Sequence, residues 1–148
     1  ACNVGHGIEF CGFAFEHLAQ CPNDSRIELL EQILRASLET GLQGPGIALS
    51  LSCKTGQPNS PYYPWWQMPE AIRATAIGYK LIGDEGLVNL WQKADAAFFR
   101  NYWQSERSFA YQTRTTEGPI DYVPATPDLD PGYHTGLSLL AAIRAIHD

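Results

Sequence analysis

The sequence predicts an all-α protein built from helical hairpins, in which inner and outer helices alternate along the chain. Five segments have the hydrophobic periodicity of helices, and the third and fifth are apolar on nearly every face, as buried helices are. The connections that precede the third and fifth helices are long and contain short predicted strands, whereas the others are short. His6, Glu70 and His134 stand at equal intervals of 64 residues, near the starts of the first, third and fifth helices. This interval predicts a structural repeat.

Composition places the chain among packed globular proteins. Its 148 residues, of which 45% are hydrophobic and 18% charged, are enough for a single domain over residues 1–148. A net charge of −6 with ten Lys and Arg residues argues against nucleic-acid binding, which needs a clustered basic surface. No apolar run approaches the length of a membrane span. The chain has neither an initiator Met nor a signal peptide, which we interpret as truncation or processing at the N-terminus.

Cysteine usage indicates a reducing compartment. The four cysteines form no CxxC pair and have no Cys/His ligand spacing; they are Cys2, Cys11, Cys21 and Cys53. We therefore expect reduced thiols in a cytoplasmic protein in preference to a disulfide framework or a zinc site.

The first predicted helix runs from about residue 5 to residue 20, where Pro22 prevents its continuation. His6 and Glu9 lie three residues apart in its first turn and therefore share one face. An imidazole beside a carboxylate suits proton transfer near neutral pH. When this helix is considered alone, a helix cap or a hydrogen-bonded core histidine is the simpler interpretation of His6.

The second predicted helix is an outer one. Ser25 followed by Glu28 fits a capping box at its start, and Gly41 fits its end. Its opposite face is polar, and its single apolar stripe consists of Ile27, Leu30, Leu34 and Leu38.

The first long connection, residues 42–64, interrupts the helical pattern. We predict a strand over residues 46–53 and a turn at residues 54–56. Four aromatic residues follow: Tyr62, Tyr63, Trp65 and Trp66. These rings either pack beneath a loop or form the wall of a sugar site, and composition leaves both possibilities open.

The third predicted helix runs from about Pro69 to Ile82 and carries Glu70 in its first turn. Gly83 ends it, and Asp84 can cap the fourth helix. That fourth helix is predicted to be an outer one because it has a single apolar stripe: Leu87, Leu90, Trp91, Ala94, Ala97 and Phe98.

The second long connection is predicted to form a hairpin between residues 108–113 and 119–123. A proline-rich acidic loop over residues 124–131 then leads to His134 and the last, apolar helix. Antiparallel hairpins wound in this way place every inner-helix N-terminus at the same end, so His6, Glu70 and His134 should converge there. We expect His17 and His147 to be solvated elsewhere. Helix N-termini would favour a negatively polarised sugar oxygen or an enediolate at that end.

Three motifs in this order resemble the N-acylglucosamine 2-epimerase family, which includes cellobiose 2-epimerases and isomerases of mannose and related sugars. They are Gly-His-Gly-Ile-Glu at residues 5–9, Pro-Trp-Trp-Gln-Met-Pro-Glu at residues 64–70, and Gly-Tyr-His-Thr at residues 132–135. The connecting segments 54–58 and 109–111 resemble the family as well, so the similarity covers nearly the whole chain.

The resemblance implies the C-terminal portion of an (α/α)6 barrel that carries out proton transfer at C2 of a sugar. The reaction passes through a cis-enediol(ate) and needs no metal or redox cofactor. The implied catalytic residues are His6, His134 and Glu9, and the substrate-binding residues are Trp66 and Glu70 with the adjoining Trp65 and Tyr133. The expected ligand is a monosaccharide or disaccharide.

Two other functions stay open at this point. Another (α/α)6 enzyme, such as an unsaturated-uronide hydrolase, would need an acid/base such as Asp128 or Asp130. A non-catalytic sugar-binding remnant would keep the scaffold without turnover. Five helices cannot close an (α/α)6 barrel, so we expect the chain alone to be inactive. We also expect exposed apolar helix faces that promote homodimerisation or other association.

Overall fold

The computed structural model describes residues 1–21, 24–122 and 132–147. This part of the chain consists of helices and very short strands joined by loops. The helices are α1 (Val4–Leu18), α2 (Arg26–Gly41), α3 (Gln67–Ile82), α4 (Glu85–Asn101) and α5 (Ser138–His147), and a π-helical turn, Tyr133–Leu137, leads directly into α5. The strands are β1 (Leu42–Gln43), β2 (Gly46–Ile47), β3 (Tyr63–Pro64), β4 (Trp103–Gln104), β5 (Phe109–Ala110), β6 (Thr113–Thr115) and β7 (Gly118–Pro119).

The helices form an inner and an outer layer. The central helix α3 packs against α1, α4 and α5, and α2 packs against α1. Every residue of α3 from Gln67 to Gly78 is buried, as an inner helix requires. The apolar stripes of α2 and α4 are buried while their other faces are exposed. The burial of α3, α2 and α4 therefore agrees with the inner and outer positions predicted for these three helices.

The fifth helix is less buried than an inner helix was predicted to be. Only Ser138 and Ala142 of α5 are buried. The apolar side chains along its other side are between 41% and 56% exposed; they are Leu137, Leu140, Ile143 and Ile146. The reason is that α5 packs mainly against α3, and no other helix in the described ranges covers its second side.

The helix ends agree with the predictions at α3, at α4 and at Gly41, the last residue of α2, but not at the start of α2. Gly83 ends α3 in the left-handed conformation, and the Asp84 carboxylate accepts the Gly86 N–H at the start of α4 (2.6 Å). The capping box at Ser25 is wrong, because Ser25 is already helical and its side chain makes no capping bond. Asp24 accepts the Arg26 N–H instead (2.9 Å), and hydrogen bonds from Arg26 lower the pKa of Asp24 to about 2. Pro22 lies outside the described residues.

The predicted strands are shorter and pair differently. Only β2 lies within the predicted strand 46–53, and Leu51 then forms isolated bridges with Cys2 and Pro58. β5 pairs with β4, so it is not part of the predicted hairpin, which reduces to β6 and β7. Local hydrophobic alternation cannot identify these partners, because pairing depends on contacts between distant segments. The predicted acidic loop and the end of the hairpin, residues 123–131, lie outside the described part of the chain.

The two long connections pair with each other in a small antiparallel sheet next to the start of α3. β3 from the first pairs with β6 from the second, with Tyr63 opposite Arg114. The Tyr102 hydroxyl donates to the Tyr63 carbonyl (3.1 Å), and burial raises the pKa of Tyr102. This sheet leads directly into α3, so the connections and the start of α3 lie at the same end of the molecule.

The four cysteines carry free thiols, of which only Cys11 is buried. Burial raises the pKa of the Cys11 thiol to about 11. Among the described residues, no helix combines the length and the apolar character needed to cross a membrane.

Candidate active site at the helix N-termini

The first component of the site is the π-helical turn that carries His134. Gly132 precedes the turn with a φ of 100°, a value that favours glycine, and its carbonyl accepts the Leu137 N–H five residues later (3.0 Å). Such single π-turns occur often at functional sites. Here the turn directs the His134 side chain towards the first turns of α1 and α3.

The His134 imidazole is held by Glu70. Its Nδ1 lies 2.9 Å from Glu70 Oε1, and the Ser138 hydroxyl donates to the same oxygen (3.0 Å). An ionised carboxylate only accepts hydrogen bonds, so Nδ1 is the donor. In a neutral imidazole, Nε2 then carries the lone pair and is the basic nitrogen.

Glu70 is buried and its charge is paired with Arg73. The two side chains are 1% and 6% exposed, and Arg73 Nη2 lies 2.6 Å from Glu70 Oε2. The same nitrogen lies 3.5 Å from the Glu9 carbonyl oxygen, and the guanidinium stacks over the Phe13 ring at 4.0 Å. Because a buried charge is stable only when it is paired, this ion pair lets Glu70 remain ionised beside His134.

Glu9 is close to His134 and not to the histidine in its own helix. Its carboxylate oxygen lies 4.0 Å from His134 Nδ1. Between the described residues His6 and Glu9, which were predicted to share one face of α1, no ion pair forms within 4.0 Å. Instead, the π-turn brings the His134 imidazole close to Glu9, and the His6 ring lies beside Trp66.

Trp66 lies beside both histidines. Its ring centroid is 5.1 Å from that of His6 and 5.2 Å from that of His134. Trp65 and Tyr133 approach His134 edge-on, at 6.5 Å and 4.8 Å. Trp65 and Trp66 are buried, whereas His6 and Tyr133 are exposed. Most of the two indole surfaces thus pack beneath the loops, and Tyr133 is the aromatic residue of this group most accessible to a ligand.

The structure therefore brings together the sequence-predicted residues His6, Glu9, Glu70 and His134, with three aromatic rings around them. His17 lies in the last turn of α1, away from this group, and is exposed, as is His147. The sequence reasoning missed Arg73 and Ser138. Two spacings could have indicated them, since Arg73 follows Glu9 by 64 residues and Ser138 follows His134 by one helical turn.

Two concave regions flank the π-turn. One, of about 260 Å³, lies on the side of the β4–β5 hairpin and is lined by residues that include Trp65, Trp103, Phe109, Gln112 and Thr135. The other, a groove of about 440 Å³, lies between α1, α3 and α5 and is lined by residues that include Phe13, Arg73, Tyr133, Leu137 and Arg144. Both regions are lined by neighbours of His134 in the π-turn, Thr135 in the first and Tyr133 in the second, and not by His134 itself.

A metal ion fits this site less well than a proton-transfer reaction does. Ligand atoms of Glu9, Glu70 and His134 lie within 4.8 Å of one another, which is close enough to surround a cation. Both oxygens of Glu70 already have partners, however, and one of these is the Arg73 guanidinium. A cation would have to displace Arg73 or share a buried carboxylate with it.

Comparison with known proteins gives a structural likeness. No protein-family model and no curated protein matches the chain. A crystal structure of D-mannose isomerase superimposes on 97% of this chain with a TM-score of 0.84 and 14% sequence identity. The chain spans 37% of the length of that protein. At this identity the likeness shows a shared helical fold, in agreement with the predicted segment of a helical barrel.

Proposed function

We propose that this chain is the acid–base half of a sugar 2-epimerase or aldose–ketose isomerase of the N-acylglucosamine 2-epimerase type, within an (α/α)6 barrel. The observation that carries the proposal is the pair of histidines beside Trp66, one of which donates from Nδ1 to a buried carboxylate. The fold shared with D-mannose isomerase supports it.

The proposed reaction begins with the open-chain aldose. A histidine takes the C2 proton, the C2–H electron pair forms the C1–C2 double bond, and the C1 oxygen becomes an enediolate. Return of a proton to the opposite face of C2 gives the epimer. Transfer of the O2 proton to O1, with return of a proton to C1, gives the ketose. Both outcomes need groups that exchange protons near neutral pH on either side of a planar intermediate.

His134 is the better-prepared base of the two. Glu70 accepts from its Nδ1, so the lone pair of the neutral imidazole is on Nε2, and Glu9 adds a second carboxylate that stabilises the imidazolium formed. His6 would serve the other face from the exposed rim. Glu70 orients His134 and does not contact the sugar, because both its oxygens are buried and occupied.

The aromatic residues have two proposed roles. Trp65 and Trp66 fix the imidazoles and present only their exposed edges to a sugar. Tyr133, which is exposed beside His134, would cover an apolar C–H face of the substrate.

The test is isotope exchange in deuterated water with mannose, N-acetylglucosamine or cellobiose, followed by proton NMR, in a protein that carries this chain within the complete barrel. We expect deuterium at C2 of an epimer, or at C1 or C2 in the isomerase case. His134→Asn should lower the exchange rate by roughly 10²- to 10⁴-fold, the usual contribution of a general base. His17→Asn, which removes an exposed histidine of α1, is the matched control and should not change the rate.

Equal rates for wild type and His134→Asn would show that His134 is not the base. Saturable sugar binding without exchange in any variant would favour the non-catalytic sugar-binding alternative. The uronide hydrolase would depend on Asp128 or Asp130, which lie outside the described residues, and no observation favours it.

A further inference from the structure

We propose that Arg73 is a positioning residue of this site: its guanidinium keeps the buried Glu70 ionised and thereby sets the tautomer of His134. The inference rests on the proposed function for its catalytic meaning, but the tautomer itself can be measured without activity.

The ion pair decides the direction of the Glu70–His134 hydrogen bond. With Arg73 at 2.6 Å, Glu70 can remain a carboxylate inside the protein and can only accept from His134 Nδ1. Without that positive charge, a carboxyl group with 1% exposure would favour its protonated form. A protonated Glu70 can donate to Nδ1 and so place the imidazole proton on Nε2, the nitrogen needed as the base.

Arg73 is held in place by α1. Its Nη2 lies 3.5 Å from the Glu9 carbonyl oxygen, and its guanidinium stacks over Phe13. Gly12 leaves room for the Arg73 guanidinium, since a Cβ atom at position 12 would lie only 3.0 Å from Arg73 Nε. A larger residue at position 12 would press against the guanidinium, so the sequence of α1 accommodates this cation.

The charges around Glu70 have distinct partners. Among the described residues, two carboxylates lie within 4.0 Å of His134 Nδ1: that of Glu70 at 2.9 Å and that of Glu9 at 4.0 Å. The Ser138 hydroxyl is a neutral donor to Glu70. Arg73 is thus the cation paired with Glu70 in the described part of the chain, and its removal changes the charge of the network without removing a group that touches the sugar.

The experiment is long-range proton–nitrogen NMR of the full chain labelled with ¹⁵N-histidine at neutral pH, with the His134 signals identified by their loss in His134→Asn. Wild type should have the proton on Nδ1. Arg73→Met should move it to Nε2, and Arg73→Lys, which keeps a positive charge, should restore the wild-type pattern. Arg144→Met is the matched control, because it removes an exposed arginine from the same groove without a contact to Glu70.

An unchanged His134 tautomer in folded Arg73→Met would overturn the inference and leave Arg73 with a structural role only. Should that variant fail to fold, Arg73→Gln, which is neutral but polar, is judged by the same criterion. In an active preparation, kcat should fall with KM nearly unchanged, as for a residue that acts through a catalytic group. A changed tautomer without isotope exchange in any variant would support the positioning role and count against the proposed reaction.

Discussion

The buried pair of Glu70 and Arg73 should be strongly coupled in stability. Both side chains are almost fully removed from solvent, so solvent screening is weak, and each is the charged partner of the other. Removal of one partner leaves the other buried without its counter-charge, so that it stays charged and unpaired or, in the case of Glu70, takes up a proton, and the loss is about 3–5 kcal/mol. We therefore expect Glu70→Gln or Arg73→Met alone to lower the free energy of unfolding by about that amount, a large part of the roughly 5–15 kcal/mol of a typical domain.

The double variant should be more stable than either single variant, because it leaves no unpaired charge. Removing both charges of a buried pair together is often nearly neutral, so the loss should be close to the roughly 1 kcal/mol of a lost hydrogen bond. The measurement is urea unfolding followed by far-UV circular dichroism for all four proteins, with equal m-values as the condition for comparison. The exposed pair of Asp24 and Arg26 provides the control cycle, which should be nearly additive. Additivity within about 0.5 kcal/mol at Glu70 and Arg73 would refute the reasoning.

Two further predictions concern the buried thiol of Cys11 and the exposed apolar side of α5. The thiol of Cys11 should react with a disulfide reagent only after unfolding, while the other three thiols react at once, because burial raises its pKa to about 11 from 9.0. Immediate reaction of all four thiols in the folded protein would contradict the burial of Cys11. The folded protein keeps the proton of this thiol at a pH where the unfolded chain has lost it, so the free energy of unfolding should fall as pH rises from about 9 to about 11. The exposed apolar side of α5 should promote self-association. The double substitution Leu140→Lys with Ile143→Lys should therefore shift the mass measured by light scattering towards that of the monomer. The control is Phe99→Lys, which places a charge at an exposed aromatic position on α4. A wild type that is strictly monomeric at all concentrations would count against that surface.

Local chemistry explains why much of the helical scaffold could be predicted. Gly83 and Asp84 are recognisable because a left-handed glycine and a capping carboxylate each act within a few residues of the chain. The same reasoning failed at Ser25, because Asp24 beside it is an equally good cap and only the backbone geometry decides between them. Strand pairing such as β3 with β6 joins segments far apart in sequence, and no local pattern specifies it.

The candidate site shows the same division. The 64-residue interval identified His6, Glu70 and His134 because one repeat places each residue at the same turn of successive inner helices. The contact of Glu9 with His134 could not be predicted from the i, i+3 rule, which considers only contacts within one helix, because it joins α1 to the π-turn before α5. Arg73 was overlooked because its sequence neighbours do not reveal that its charge is buried against Glu70.

The π-turn before α5 has an evolutionary consequence. A π-turn holds one residue more than the α-helical turn it replaces, so a single-codon deletion within it would restore a regular helix. One residue corresponds to roughly 100° of rotation in an α-helix. The part of the turn before the deletion would therefore rotate, and His134 would turn away from Glu70. Ser138 and the rest of α5 would keep their packing. Gly136 has open space around it and would be an easy position to lose. A lineage could in this way abandon the chemistry in one step and keep the scaffold, or regain it by one insertion.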